Sequence, residues 1–140
     1  MTVRVQRTFE LTIPPDQVWE FISDPGNRAR SISVVSEYTV NDADATHVTW
    51  HVELPIPLVR RTIAVETEDV TRRSPEYVKF VGRSKVMNVT GEHEIEPRDG
   101  GSRLVNEFVV DGKVPGVETF FERNLDDELE NLRRNLEASR

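Results

Sequence analysis

The chain has 140 residues, 36% of them hydrophobic, which suits one domain with a proper core better than two. It contains no cysteine, which excludes disulfides, thiolate nucleophiles and cysteine-bound zinc and favours a reducing, cytoplasmic location. A net charge of −7 disfavours nucleic acid as a partner, because that affinity depends on clustered Lys and Arg.

The positions and types of the charged residues also indicate whether the chain enters a membrane and how salty its surroundings are. No apolar run approaches the roughly 20 residues that span a bilayer, so we expect no integral membrane segment. The first residues mix charged with apolar side chains, which is unlike a signal peptide. The acidic, lysine-poor composition is what we expect of a protein from a salty cytoplasm.

The first predicted element is a strand, because apolar and polar residues alternate strictly from the start of the chain. Its apolar side carries Val3, Val5, Phe9, Leu11 and Ile13. Arg7 is the polar residue on that side. Pro14 to Asp16 then end the strand and open a helix, since proline is tolerated in a first helical turn. Asp24 to Asn27 end this helix, and residues 28–31 allow at most a short second one.

From Ile32 to Val110 the pattern predicts about six antiparallel strands separated by turns. The turn residues are Asn41-Asp42, Pro55 to Pro57, Arg73-Ser74-Pro75 and Asp99-Gly100-Gly101. Such short connections favour hairpins, so we expect a strongly curved meander.

One long amphipathic helix is predicted over residues 116–138. Its apolar face carries Phe121, Leu125, Leu129, Leu132 and Leu136. Because this stripe needs a surface to cover, we expect the helix to lie on the concave face of the sheet.

Three segments within this order of elements resemble the START-like (SRPBCC) superfamily, in its polyketide cyclase/dehydrase branch. They are residues 15–25 (PDQVWEFISDP), 95–104 (IEPRDGGSRL) and 129–136 (LENLRRNL). The resemblance covers nearly the whole chain and implies a single domain over residues 1–140. It implies an α+β helix-grip fold, in which about seven antiparallel strands wrap a C-terminal helix and two short helices follow the first strand. Members of this superfamily serve as lipid carriers, hormone receptors, aromatic cyclases or co-chaperones, so the fold alone does not fix the function.

The space between sheet and helix is the expected ligand site, and alternation indicates which side chains face it. Trp50 is expected to point inward from the strand that begins at His47. His93 shares an inward face with Met87 and Val89, and Asn106 shares one with Phe108. The predicted apolar wall consists of Trp50, Met87, Val89, Phe108, Phe120 and Phe121. His93, Asn106 and Arg7 are the candidate polar contacts, with His93 and Asn106 as the candidate catalytic pair.

No metal site or cofactor is expected. His47 and His51 share one side of a strand but lie about 13 Å apart at ~3.3 Å per residue, too far to share an ion. There is no glycine-rich phosphate loop and no G-x-S-x-G motif.

Residues 54–59 are apolar but contain two prolines and precede Arg60-Arg61. This segment is interpreted as a bulged strand end packed on the domain, although a mobile lid or a lip that touches anionic lipid is an alternative.

These observations favour non-covalent binding of a hydrophobic or aromatic small molecule, lipids included, between sheet and helix. One alternative is a polyketide cyclase/dehydratase in which His93 acts as general acid or base and Asn106 holds an enolate. Another is a co-chaperone-like interaction module with a collapsed interior. The sequence leaves the ligand and the oligomeric state open.

Overall fold

A computed structural model describes residues 2–57, 59 and 61–139. Its elements come in the predicted order of one strand, two short helices, six strands and a long helix. They are β1 (Thr2–Leu11), α1 (Pro15–Ile22), α2 (Pro25–Arg30), β2 (Val35–Val40), β3 (His47–Val52), β4 (Ile63–Arg73), β5 (Tyr77–Arg83), β6 (Met87–Arg98), β7 (Gly101–Gly112) and α3 (Val117–Ala138).

All seven strands form one antiparallel sheet in the order β1-β7-β6-β5-β4-β3-β2. Consecutive strands from β2 to β7 are neighbours, as short hairpin connections require, and β1 pairs with β7. The sheet is curved and is followed in the chain by the long helix α3, so the predicted helix-grip architecture is confirmed. Strands β1 and β2 are the two edges.

The alternation along the strands determines which side chains enter the core. On β7 every second residue from Ser102 to Val110 is buried, and β3 buries Val48, Trp50 and Val52. The apolar face of α3 completes the core with the leucines that its periodicity predicted. The core therefore lies between the concave face of the sheet and α3.

The turn between the first two helices differs from the prediction. Residues 24–27, predicted to end the first helix, also begin the second, because α2 starts at Pro25. The Asp24 carboxylate caps α2 by accepting a hydrogen bond from the Gly26 N–H at 2.8 Å. Six residues of helix thereby place Arg28 and Ala29 inside the domain.

The apolar segment after β3 packs on the domain. Leu54 and Val59 are buried, and Ile56 lies so close to Gly116 that a Cβ there would approach it to 2.7 Å. Gly116 also has a φ of +97°, a left-handed conformation that glycine adopts at little cost. These contacts match the packed strand end; Leu58 and Arg60 lie outside the described residues. Within the described ranges, no helix is both long and apolar enough to cross a membrane.

The packing of α3 on the sheet predicts a specific loss of stability. Leu136 is 1% exposed and lies outside the cavity described below, so Leu136→Ala should lower the free energy of unfolding by about 2–5 kcal/mol. Urea denaturation measures this change. Glu122→Ala, at an exposed position of the same helix, should change stability by less than about 0.5 kcal/mol. Equal effects of the two substitutions would contradict the packing.

Candidate functional site

A largely apolar cavity lies between α3 and the concave face of the sheet. Its walls come from Arg28 on α2, from β3, β6, β7 and α3, and from residues 31–35, which run from the end of α2 into the first residue of β2 and which we call the mouth segment. Ile32, Val34 and Val35 are only half-buried, whereas the cavity residues of α3 are buried, so the mouth segment faces solvent.

The cavity is nearly filled by the side chains around it. The space open to a water-sized molecule is about 30 Å³, although crevices and the outer mouth bring the total volume between atoms to about 590 Å³. The smaller value determines what fits without rearrangement, and it corresponds to roughly one or two water molecules.

Most of the predicted wall lies at this cavity. Among the residues selected from the sequence, those that line it are Trp50, Met87, Val89, His93, Phe108 and Phe121. Asn106 does not line it but is fully buried directly behind His93, its partner across β6 and β7.

Two predicted residues lie elsewhere. The Arg7 guanidinium donates to the Asp126 carboxylate at 2.5 Å, and both side chains are about half exposed. Arg7 lies on edge strand β1, where an inward-facing long side chain can extend past the sheet to water. Phe120 is half-buried and packs edge-on against Phe121, with ring centroids 5.1 Å apart.

Asn106 fixes the hydrogen-bonding state of His93. The Asn106 amide nitrogen donates to the Arg7 carbonyl at 3.2 Å, which directs Oδ1 toward His93 Nδ1, 2.7 Å away. Since an amide oxygen only accepts, this assignment puts the imidazole hydrogen on Nδ1 and leaves a lone pair on Nε2.

Burial keeps His93 neutral. Desolvation lowers its pKa to about 3, the nearby positive charge of Arg28 adds to this, and the hydrogen bond with Asn106 opposes it. At neutral pH His93 Nε2 is therefore a hydrogen-bond acceptor.

A buried ion pair, absent from the sequence predictions, holds Arg28 at the cavity. Arg28 Nη2 donates to both Asp69 carboxylate oxygens at 2.7 Å, and the two side chains are 4% and 3% exposed. Arg72 also donates to Asp69, at 2.9 Å. Burial lowers the pKa of Arg28, and the Asp69 carboxylate opposes that shift. Asp69 follows Val65 and Thr67 on the inward face of β4, so alternation could have identified it.

Among the side chains that line the cavity, three have a buried polar atom without a hydrogen-bond partner in the described part of the chain: Arg28 Nη1, Trp50 Nε1 and His93 Nε2. We call these atoms the polar trio. Their side chains surround the Phe80 ring. The Arg28 guanidinium carbon, the Trp50 ring and the His93 ring lie 5.1, 5.5 and 6.4 Å from its centroid. Each member of the polar trio thus belongs to a side chain that packs against the same buried ring.

Glu128 joins α3 to the mouth segment. Its carboxylate accepts hydrogen bonds from the Ser33 N–H at 2.6 Å and the Ser33 hydroxyl at 2.7 Å. Glu128 is 7% exposed and lies between Leu125 and Leu132 on the apolar face of α3. The helical period of that face could have revealed it from the sequence.

The fold is shared with proteins of known structure. A search of curated proteins by sequence gave no match. Among solved structures, a START superfamily protein from Mycobacterium smegmatis is 14% identical, with a TM-score of 0.74 over 97% of this chain and 95% of that one. A conserved protein from Geobacillus kaustophilus is also 14% identical, with a TM-score of 0.78 over 98% and 94%.

The Zhui aromatase/cyclase from a Streptomyces species is 15% identical, with a TM-score of 0.73 over 98% of this chain and 94% of that one. These similarities show the fold. The family described as polyketide cyclase/dehydrase and lipid transport matches residues 2–137. Because that match spans nearly the whole chain, the protein belongs to the polyketide cyclase/dehydrase and lipid transport family.

Proposed function

We propose that this protein binds a hydrophobic or aromatic small molecule in the cavity between the sheet and α3. The observation that carries the proposal is the polar trio, whose side chains line a largely apolar cavity. A buried polar atom that forms no hydrogen bond costs about 1–3 kcal/mol. A ligand's polar group offsets that cost by forming the missing hydrogen bonds. Its apolar body then packs against the side chains of the cavity wall.

The proposed binding surface keeps most of the residues selected from the sequence. The apolar body of the ligand contacts Trp50, Met87, Val89, Phe108 and Phe121. Its polar group contacts His93. Arg28 is added as a second polar contact. Asn106 orients His93, whereas Arg7 and Phe120 have no contact with the ligand in this proposal.

Binding requires the cavity to open, because a typical small-molecule site has a volume of about 300 Å³ or more. The mouth segment is the cavity wall that faces solvent, and except for Val35 it lies outside the helices and strands. Its contact with Glu128 fixes it to α3. In this proposal, release of Ser33 from Glu128 admits the ligand.

The neutral state of His93 favours binding over acid–base catalysis. A general acid or base works best with a pKa near the operating pH, and the pKa of His93 is about 3. The cyclase/dehydratase alternative therefore has no well-matched proton carrier at this position. The aromatase/cyclase among the structural neighbours supports the fold and does not supply this chemistry.

The small size of the cavity favours an interaction module as a second candidate function. Phe80, Phe108 and Phe121 fill much of the interior, as a collapsed cavity requires. The two candidates differ in whether space made inside the site takes up an apolar molecule.

Leu125→Ala tests the proposed site. Leu125 lines the cavity from α3, so its truncation should raise the affinity for the neutral fluorescent probe N-phenyl-1-naphthylamine about tenfold or more. Fluorescence titration gives the dissociation constants. Leu136→Ala is the matched control, since it removes the same buried side chain from the same helix away from the cavity. If Leu136→Ala raises affinity equally, the effect is general loosening of the core; if neither wild type nor Leu125→Ala binds, the interaction module is favoured.

Glu128→Gln tests the opening step. The variant keeps the shape of the side chain but loses the charge that strengthens both bonds to Ser33. Stopped-flow mixing should show probe association faster by about fivefold or more. The control is Glu130→Gln on the same helix, because Glu130 pairs with Arg133 and not with the mouth segment. Equal association rates in wild type and Glu128→Gln would contradict the opening step.

The buried state of His93 predicts a pH dependence of stability. In the unfolded chain His93 binds a proton below a pKa of about 6.5, whereas in the folded protein it does so only near pH 3. The free energy of unfolding therefore decreases as the pH is lowered from 6.5 toward 3. From pH 7.5 to 5, wild type should lose about 2 kcal/mol more than His93→Gln in urea denaturation. Coincident curves for wild type and His93→Gln would restore His93 as a proton carrier.

A further inference from the structure

The polar trio combines two hydrogen-bond donors with one acceptor. An arginine guanidinium and a tryptophan indole only donate, so Arg28 Nη1 and Trp50 Nε1 require an acceptor. His93 Nε2 accepts, because the imidazole hydrogen is engaged by Asn106 Oδ1. The Asn106 amide cannot reverse this without losing the bond from its nitrogen to the Arg7 carbonyl.

We infer that the ligand presents a hydroxyl group, phenolic or alcoholic, to the polar trio. This inference rests on the proposed function and names the chemical class that the site recognises. A hydroxyl has one hydrogen to donate to His93 Nε2 and two lone pairs to accept from Arg28 and Trp50. Its one donor and two acceptor sites thus match the one acceptor and two donors of the polar trio.

Other common polar groups match the polar trio less well. A carbonyl or an ether accepts from the two donors but offers no hydrogen to His93 Nε2. A carboxylate places a negative oxygen beside the His93 lone pair. An ammonium group only donates, so it cannot bond to the two donors, Arg28 Nη1 and Trp50 Nε1, and the positive charge of Arg28 repels it. Each of these groups leaves at least one member of the polar trio unsatisfied in a buried site, where that deficiency weakens binding.

The charges at the site also favour a neutral group. Arg28 and Arg72 are balanced by Asp69, which binds both, and by Glu128 at the cavity wall. The Asp24 carboxylate also acts on Arg28, so the two arginines are at least fully balanced and the site holds no excess positive charge that would attract an anion. Arg28 is moreover held by two hydrogen bonds to Asp69, so its free nitrogen acts as a directed donor.

Three naphthalene probes of similar shape test the inference by isothermal titration calorimetry: 2-naphthol, 2-methoxynaphthalene and 2-naphthoate. They are measured on wild type and on Leu125→Ala, whose larger cavity admits the bicyclic ring. We expect 2-naphthol to bind at least about tenfold more tightly than either of the others.

Two variants assign the preference to the polar trio. His93→Phe removes the acceptor and keeps a ring, so the preference for 2-naphthol over its methyl ether should fall to about onefold. Trp50→Phe removes one donor, so both should weaken together and the preference should remain. If His93→Phe does not fold, the probe series on wild type and the Trp50→Phe result still decide the outcome.

The outcomes separate this inference from the proposed function. Equal binding of the three probes, or tightest binding of the ether or the carboxylate, overturns hydroxyl recognition while cavity binding stands. A preference for 2-naphthol that survives His93→Phe overturns the assigned role of His93. Absence of binding by all three probes to both wild type and Leu125→Ala overturns the proposed function itself.

Discussion

A single helix and a curved sheet match each other over only part of their length, and this mismatch is the constraint on which the site depends. Helix α3 has 22 residues and an apolar face, and among the strands it lies mainly against β1 and β7. Large side chains such as Trp50 and Phe108 occupy most of the resulting space. What remains is a small cavity whose volume depends on side-chain packing and on the mouth segment.

The polar groups in this interior have an energetic cost that the apolar core must offset. Arg28 and Asp69 lose nearly all their hydration, and the two hydrogen bonds between them recover part of that loss. His93 avoids the cost of a buried charge by remaining neutral. In the proposed function, these costs are offset when a polar group of the ligand binds inside the cavity.

The sequence predicted the faces of the strands well because short hairpins and strict alternation determine them locally. Trp50, His93 and Asn106 point inward for that reason. The Arg28–Asp69 pair joins residues 41 positions apart, and no local pattern links a short helix to β4. Alternation likewise identified the face of Arg7, but its exposure depends on β1 being an edge strand, which only the pairing order reveals. Cavity volume depends on the packing of many side chains at once and cannot be predicted from the periodicity of the sequence.

The indole N–H signals of the two tryptophans provide the most direct test of the central claim, that an apolar ligand occupies this cavity beside the polar trio. Trp50 lines the cavity and Trp19, on α1, does not, so one proton–nitrogen NMR spectrum contains both the reporter and its control. The account predicts that a saturating apolar hydroxyl compound such as 2-naphthol shifts the Trp50 signal and leaves the Trp19 signal in place. An unchanged Trp50 signal at saturation, or a shift confined to Trp19, would contradict it.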